Sequence, residues 1–290
     1  MGEKSKRFPL PLSSVLGPRQ DKGGESVSVR PREISSQTAI LNLVQNRTHL
    51  KAKDEKLQQQ PVFPAERPLV QAGAKNQAAP VAGAVALAEK LLSQGIRDPL
   101  VLQAIRVIPR HLFVASGLYR QAYADTSLPI GYHQTISRPY TVARMIEAIR
   151  IDVGADLLGR VLEIGTGCGY QAAVLSQVAK EVYSIERIRP LHELARQNLR
   201  SLRIPNLRLH YGDGMLGLPE VAPFDSIVVA AAGLEIPEAL LLQLAVGGYV
   251  IAPVGTHSQV LQLTKRTGKN GWQSVILEEC HFVPLLEGVV

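Results

Sequence analysis

Three acidic residues and one glycine-rich run carry the first chemical signal in this 290-residue sequence. The run is Val161-Leu-Glu-Ile-Gly-Thr-Gly-Cys-Gly-Tyr170. It follows a short apolar stretch and opens a helical segment, where backbone N–H groups and close approach to a ligand are available. A dinucleotide turn, G-x-G-x-x-G, would need glycine at 165, 167 and 170. Here the third glycine stands at 169 and position 170 is Tyr. Glu163, two residues ahead of Gly165, suits a ligand with a cationic α-amino group better than a pyrophosphate. Glu186 follows Gly165 by 21 residues, where doubly wound folds place the acid that accepts hydrogen bonds from ribose hydroxyls. Asp213, in Tyr-Gly-Asp-Gly, can accept from the exocyclic amine of adenine.

Amino acid, ribose and adenine together describe S-adenosylmethionine. The spacing therefore predicts a donor site built from Glu163, Gly165, Gly167, Gly169, Glu186, Gly212 and Asp213. Singly, Glu186 beside Arg187 reads as a surface ion pair and Gly212–Gly214 as an ordinary turn. Their order at three consecutive strand ends favours the methyl donor over both, and over a nicotinamide cofactor. Cys168 reads as a small turn residue, since nothing nearby in sequence activates it. His111, His210, His257 and His281 lack metal-ligand spacing, so no metal is assigned.

The elements that must position these residues alternate. Apolar runs predict strands at Val161–Ile164, Glu181–Ile185, Leu207–His210, Phe224–Ala230 and Gly248–Pro253. Late strands follow at Val260–Thr264 and Ser274–Glu278, turning at Gly268–Gly271. Helices are predicted at Leu100–Ile108, Arg138–Ile149, Tyr170–Ala179, Leu191–Leu202 and Pro237–Leu244, after a first helical run from Val85 to Leu92. Residues 118–140 read as a structured loop or short strands. The fold class is α/β: a doubly wound, Rossmann-like, mostly parallel sheet with antiparallel C-terminal strands.

Composition bounds the rest. The net charge is +7, but residues 1–80 hold 13 Lys and Arg against 7 Asp and Glu, leaving 19 against 18 for residues 81–290. The basic character thus belongs to the first eighty residues, and a nucleic-acid partner is not expected. That stretch is broken by eight prolines between Pro9 and Pro80 and lacks a sustained apolar period. It is expected to be a disordered extension. The folded domain is expected over 81–290, with N-terminal helices and a substrate loop in 81–150, and the sheet and a C-terminal substrate segment in 151–290. Two cysteines exclude a disulfide framework or a four-ligand zinc site. No apolar stretch reaches the ~20 residues of a membrane helix. A cytoplasmic monomer is expected, without a membrane partner.

Further motifs narrow the reading. LPIG-x-x-QTIS-x-P-Y-x-V-A-R-M begins at Leu128, VLEIGTGCGYQAA at Val161 and VYSIERI at Val182; GDG, APFDSIVV-x-AA, EIP-x-AL, PVG-x-x-x-Q and FVPL follow. From about 85 to 287 the sequence resembles the protein-L-isoaspartate (D-aspartate) O-methyltransferase family. That resemblance implies repair: methyl transfer from S-adenosylmethionine to the free carboxylate of L-isoaspartyl and D-aspartyl residues in damaged proteins and peptides. The ester then cyclises without the enzyme to a succinimide, whose hydrolysis returns part of the pool to normal aspartate. The resemblance further implies that Ser137 is catalytic, and that Gln134, Thr135 and Ile136 line the junction of donor and substrate, with Arg187 on the donor side. Ile130, Ser137, Gln259, Val283, Pro284 and Leu285 are the implied substrate contacts. From the residues alone, Ser137 ahead of Pro139 is an ordinary helix cap, and Val283–Leu285 is as well read as a packed terminal strand.

Overall fold

The computed structural model describes residues 82–290, so the expected disordered extension over 1–80 lies outside the described residues. Chain order begins with helices α1 (Ala82–Ser93) and α2 (Pro99–Val107), then two 3₁₀ turns at Arg110–Phe113 and Ser116–Gln121. Asp98 starts α2: its Oδ1 accepts from the N–H groups of Leu100 (2.9 Å) and Val101 (3.2 Å), and Pro99 takes a position whose N–H would have no partner. A small hairpin follows, β1 (Leu128–Gly131) and β2 (Gln134–Ile136), and then α3 (Pro139–Ile149). Residues 118–140 thus resolve into a 3₁₀ turn and a hairpin whose two turn residues, Tyr132 and His133, both have positive φ (54° and 56°). Such turns match the twist of paired strands at a cost to non-glycine residues.

The main sheet comprises β3 (Leu158–Ile164), β4 (Ala179–Glu186), β5 (Leu207–Tyr211), β6 (Phe224–Val229), β7 (Leu244–Gly255), β8 (Gln259–Gly268) and β9 (Gly271–Cys280), in the order β5-β4-β3-β6-β7-β8-β9. Strands β3 to β7 pair in parallel; β8 and β9 pair antiparallel. Helices α4 (Tyr170–Ser176), α5 (Arg189–Arg200) and α6 (Glu238–Leu242) connect them. Val161, Leu162, Val182, Ile227, Val228, Val250 and Ile251 are fully buried, which explains their unbroken apolar runs: the parallel strands are covered on both faces. One apolar cluster joins α1 to α4 to one face; a second, around Phe224, Leu240 and Leu244, fills the other. This is the doubly wound α/β fold expected.

Several boundaries differ from the sequence pattern, among them the helix at Arg189–Arg200, expected at Leu191–Leu202, and the strand at Leu244–Gly255, expected at Gly248–Pro253. The helix expected over Pro237–Leu244 stops at Leu242, because the carbonyl of Gln243 accepts from Phe224 N–H (2.8 Å) and Leu244 already pairs with Phe224. The helix after the glycine turn stops at Ser176, since Leu158 N–H bonds the Val178 carbonyl and β4 begins at Ala179. Among the described residues no helix is long and apolar enough to cross a membrane. Strand β3 is central, with β4 and β5 on one side and β6 on the other. The loops after β3 and β6 therefore leave in opposite directions, and the crevice they open lies at the carboxyl ends of the strands.

Candidate active site

The glycine turn occupies that crevice. Gly165, Gly167 and Gly169 all have positive φ (92°, 56° and 91°), a conformation costly for side chains with a Cβ. Their N–H groups are engaged inside the protein. Gly165 and Thr166 donate to the Ile185 carbonyl (2.9 and 3.1 Å), Gly169 donates to the Thr166 carbonyl (2.9 Å), and Gly167 donates to Glu186 Oε2 (2.8 Å). The other oxygen of Glu186 accepts from Ile188 N–H (2.9 Å). A carboxylate thus stands where a pyrophosphate would need N–H donors, and the turn has few donors left for an anion. Burial pushes the Glu186 carboxyl above its ordinary pKa, against the N–H groups that favour the charged form.

Glu163 sits beneath this turn, fully buried and off the cleft wall. Ser184 Oγ donates to its Oε2 and lies 2.5 Å from Thr166 Oγ1, while Oε1 has no hydrogen-bond partner among the described residues. Burial raises the Glu163 pKa to about 8, so the group is mostly neutral at pH 7. Gly169 is also off the wall. It opens α4 and packs on α5, where an added Cβ would come within 2.9 Å of Leu199 Cδ1. By contrast, a Cβ on Gly167 would meet Ile130 Cδ1 at 3.3 Å and one on Gly165 would meet Ala230 Cβ at 3.5 Å. These glycines keep the cleft open between the hairpin and the end of β6.

The opposite wall comes from the hairpin and the start of α3. Ile130, Gln134, Thr135, Ile136 and Ser137 line the same cleft as Gly165, Gly167, Glu186 and Arg187. Ser137 is half-buried, and among the described residues its hydroxyl makes no hydrogen bond. It is not the helix cap: α3 is preceded by Arg138, and the Tyr140 N–H is taken by Asp125 Oδ1 (2.9 Å). Asp125 Oδ2 accepts from Arg138 Nη2 (2.7 Å) and Gln94 Nε2 (3.2 Å). Burial opposes the charge on Asp125, yet these donors hold its pKa below the ordinary value. Asp125 does the capping and leaves the Ser137 hydroxyl free.

The C-terminal segment closes the cleft. Val283, Pro284 and Leu285 line it, and they are also strand-like: Ala232 N–H donates to the Val283 carbonyl (2.8 Å) and Leu285 N–H to the Ala232 carbonyl (2.7 Å). Gln259 does not line the cleft. Its amide grips the main chain of Phe282, Nε2 donating to the carbonyl (3.1 Å) and Oε1 accepting from the N–H (2.7 Å). Gly212 and Asp213 lie off the wall too, and Gly214 lines it instead. Asp213 Oδ1 accepts from Met215 N–H (2.9 Å) and Oδ2 from Gly288 N–H (2.6 Å). Arg187 donates to the carbonyls of Glu287 (3.1 Å) and Gly288 (3.0 Å), its own carbonyl accepts from Val290 N–H (2.9 Å), and Arg189 N–H donates to the Val290 carbonyl (2.8 Å). Residues 287–290 form a strap across the tips of β4 and β5.

Cys168 and Tyr170 also line the cleft, and sequence reasoning gave neither a role there. Burial raises the Cys168 thiol to about 11, which removes it as a nucleophile at neutral pH. Ser184 could have been noticed as a polar residue inside a buried strand; Asp125 had no local signal. The cleft offers a free hydroxyl, apolar side chains and one carboxylate, that of Glu186, held from behind by main-chain N–H groups.

Known proteins complete the picture. The family model for protein-L-isoaspartate(D-aspartate) O-methyltransferase matches residues 83–289. A protein-L-isoaspartate O-methyltransferase of Janthinobacterium sp. (strain Marseille) is 54% identical over 296 residues, covering 100% of both chains. One from Burkholderia ambifaria is 47% identical over 311 residues, 100% of this chain and 99% of that one. A solved protein-L-isoaspartate O-methyltransferase superposes with a TM-score of 0.63 at 32% identity, covering 69% of this chain and 65% of the other. A Plasmodium falciparum structure assigned to the same activity, in complex with S-adenosyl-L-homocysteine, shares the fold (TM-score 0.60, 24% identity, 70% and 98% covered).

Proposed function

The chain belongs to the protein-L-isoaspartate (D-aspartate) O-methyltransferase family, and from that premise we propose that this cleft holds the donor against the strand tips and the acceptor against the loops. The enzyme transfers a methyl group from S-adenosylmethionine to the free carboxylate of L-isoaspartyl and D-aspartyl residues. When bound, the donor supplies a methyl on a cationic sulfur. The residues present fit it: the N–H groups of Gly165, Thr166, Gly167 and Gly169 are engaged within the fold, the Glu186 carboxylate faces the cleft, and side chains on Gly165 and Gly167 would fill the space between the walls. Glu186 is the acceptor for ribose hydroxyls, with Gly165 and Gly167 beside it. Glu163 and Gly169 support the turn from below, and Gly212, Asp213 and Arg187 act through the strap they hold.

The acceptor carboxylate, with an ordinary pKa near ~4, is ionised at neutral pH and needs no general base. The chain's work is to exclude water and to align the reacting oxygen. Ser137 donates its free hydroxyl to the acceptor carboxylate and orients it. Gln134, Thr135 and Ile136 line the junction, and Ile130, Val283, Pro284 and Leu285 bracket the peptide, with Gln259 fixing Phe282 behind them. Both walls come from one chain, which suits a monomer. Residues 81–290 are nearly neutral, which suits protein substrates in the cytoplasm better than nucleic acid or membrane.

The observation that carries this reading is the convergence, in one cleft, of a serine relieved of capping and a glycine turn with few N–H groups left to give. The experiment compares methyl incorporation from labelled S-adenosylmethionine into an isoaspartyl peptide and its normal aspartyl twin. Label in the isoaspartyl peptide alone is the expected result; equal label in both, or none in either, overturns it.

A further inference from the structure

Two arginines are buried among the described residues, and they differ in how their charge is met. Arg150 is structural. Its Nε pairs with Asp98 Oδ2 at 2.8 Å, Nη1 donates to the carbonyls of Asp156 (3.0 Å) and Val178 (3.4 Å), and Nη2 donates to that of Gly154 (2.9 Å). Every nitrogen of that guanidinium has a partner. Arg110 is as deeply buried, 0% exposed, but only Nη2 is bonded: to the Ser137 carbonyl at 2.8 Å and more weakly to that of Thr126 at 3.4 Å. Among the described residues Nε and Nη1 have no hydrogen-bond partner, and no carboxylate forms an ion pair with Arg110. The nearby acid Asp125 is already engaged by Arg138, Gln94 and Tyr140.

An unpaired buried cation is costly, and a fold keeps one only where something else compensates it. The guanidinium lies against two residues of the cleft wall. Its Cζ is 4.6 Å from the centre of the Tyr170 ring, itself edge-on to Phe113, and its Nη2 holds the main chain of Ser137. The acceptor is an anion that must be desolvated beside Ser137. We infer that Arg110 is a positioning residue for the acceptor: from behind Ser137 and Tyr170 it fixes the serine's main chain and furnishes the positive charge against which the isoaspartyl carboxylate is held. The inference rests on the functional reading above. In methyl transfer the acceptor loses its negative charge as the new O–C bond forms and the C–S bond breaks, the electron pair going to sulfur. A fixed cation therefore favours the bound anion more than the transition state, so its effect falls on binding of the acceptor.

The test uses the full chain with Arg110→Met, Arg110→Lys and Arg150→Met. Arg110→Met is expected to raise KM for an isoaspartyl peptide about tenfold, with kcat within about threefold of wild type and S-adenosylhomocysteine affinity by calorimetry within about twofold. Arg110→Lys, which keeps the charge, is expected to restore most of that KM. Arg150→Met should lower the melting temperature and leave KM alone. An Arg110→Met enzyme with wild-type KM overturns the inference, as does a Lys variant no better than Met. If Arg110→Met does not fold, Arg110→Lys decides alone: a tenfold higher KM with donor affinity intact overturns it. A wild-type chain that methylates no isoaspartyl peptide sinks the functional reading instead, whatever the variants do.

Discussion

The two walls of the cleft are made differently. On the donor side, Ile164, Ile185 and Glu186 sit at the ends of paired parallel strands, each 5% exposed or less, and the glycine turn is bonded to the neighbouring strand tip. On the acceptor side, a hairpin with seven residues in its strands and a segment bridged to Ala232 do the work, with Thr135 and Pro284 exposed. The donor wall derives its precision from the sheet; the acceptor wall needs side chains reaching in from far along the chain. Asp125, Gln259 and Arg110 are those side chains. Substitutions on the two walls should therefore separate, one set changing donor affinity and stability, the other changing how a peptide is handled.

The sharpest separation is expected at Ser137. Ser137→Ala should lower turnover on an isoaspartyl peptide by roughly 10²-fold, the scale of loss when the reacting oxygen drifts about 1 Å from alignment. S-adenosylhomocysteine affinity by calorimetry should stay near wild type, because that hydroxyl supports no element of the donor wall. Near-normal turnover would remove Ser137 from the site and leave the two walls without a functional distinction.

Next in size is the buried acid beneath the donor wall. Glu163 has a folded pKa of about 8 against an ordinary carboxyl value near ~4.3. Because the folded protein keeps this proton longer than the unfolded chain, its contribution to stability is complete below the unfolded pKa and is lost as pH rises through about 8. Glu186, also raised by burial, adds in the same direction. Glu163→Gln keeps an acceptor for Ser184 and removes the titration. Its melting temperature should exceed wild type by several degrees near pH 8, with the gap narrowing as pH falls and closing only below about pH 4. Parallel curves for the two proteins would mean that Glu163 is not held neutral in the fold.

Gly169 tests the same wall by geometry. Gly169→Ala places a Cβ at φ 91° and 2.9 Å from Leu199 Cδ1. The backbone strain alone is about 1–2 kcal/mol. The expected result is a lower melting temperature and weaker donor binding with KM for peptide nearly unchanged.

How much of this was legible in the sequence follows the same division. The donor wall could be read because its signals are local: glycine at 165, 167 and 169, an acid two residues before, another at the next strand end. Parallel strands buried on both faces announce themselves as apolar runs, so the sheet order's raw material was visible as well. The acceptor wall was legible only through motif resemblance. Asp125 caps a helix 15 residues downstream, Gln259 grips a residue 23 further on, Asp213 holds one 75 away and Arg187 one 101 away. No periodicity encodes such pairs, and local spacing made Ser137 a cap and Asp213 a ligand contact. The shortened helix at Glu238–Leu242 has the same origin: the Gln243 carbonyl bonds Phe224, and Gln243 Oε1 accepts from Leu218 N–H at 2.8 Å.

The smallest expected effect sits farthest from the chemistry. Gln259→Ala removes two hydrogen bonds from Phe282 but leaves the Val283 and Leu285 bonds to Ala232 in place. A net value of about 1 kcal/mol for such bonds corresponds to roughly a fivefold rise in KM for an isoaspartyl peptide. Because the segment remains bridged, kcat and S-adenosylhomocysteine affinity should move little. Gln259→Glu is the sharper variant: it keeps an acceptor for the Phe282 N–H and sets a carboxylate against the Phe282 carbonyl, so it should exceed Ala in its effect on KM. If Ala and Glu behave alike, the amide does not hold the segment, and the acceptor wall is ordered by the Ala232 bridge alone.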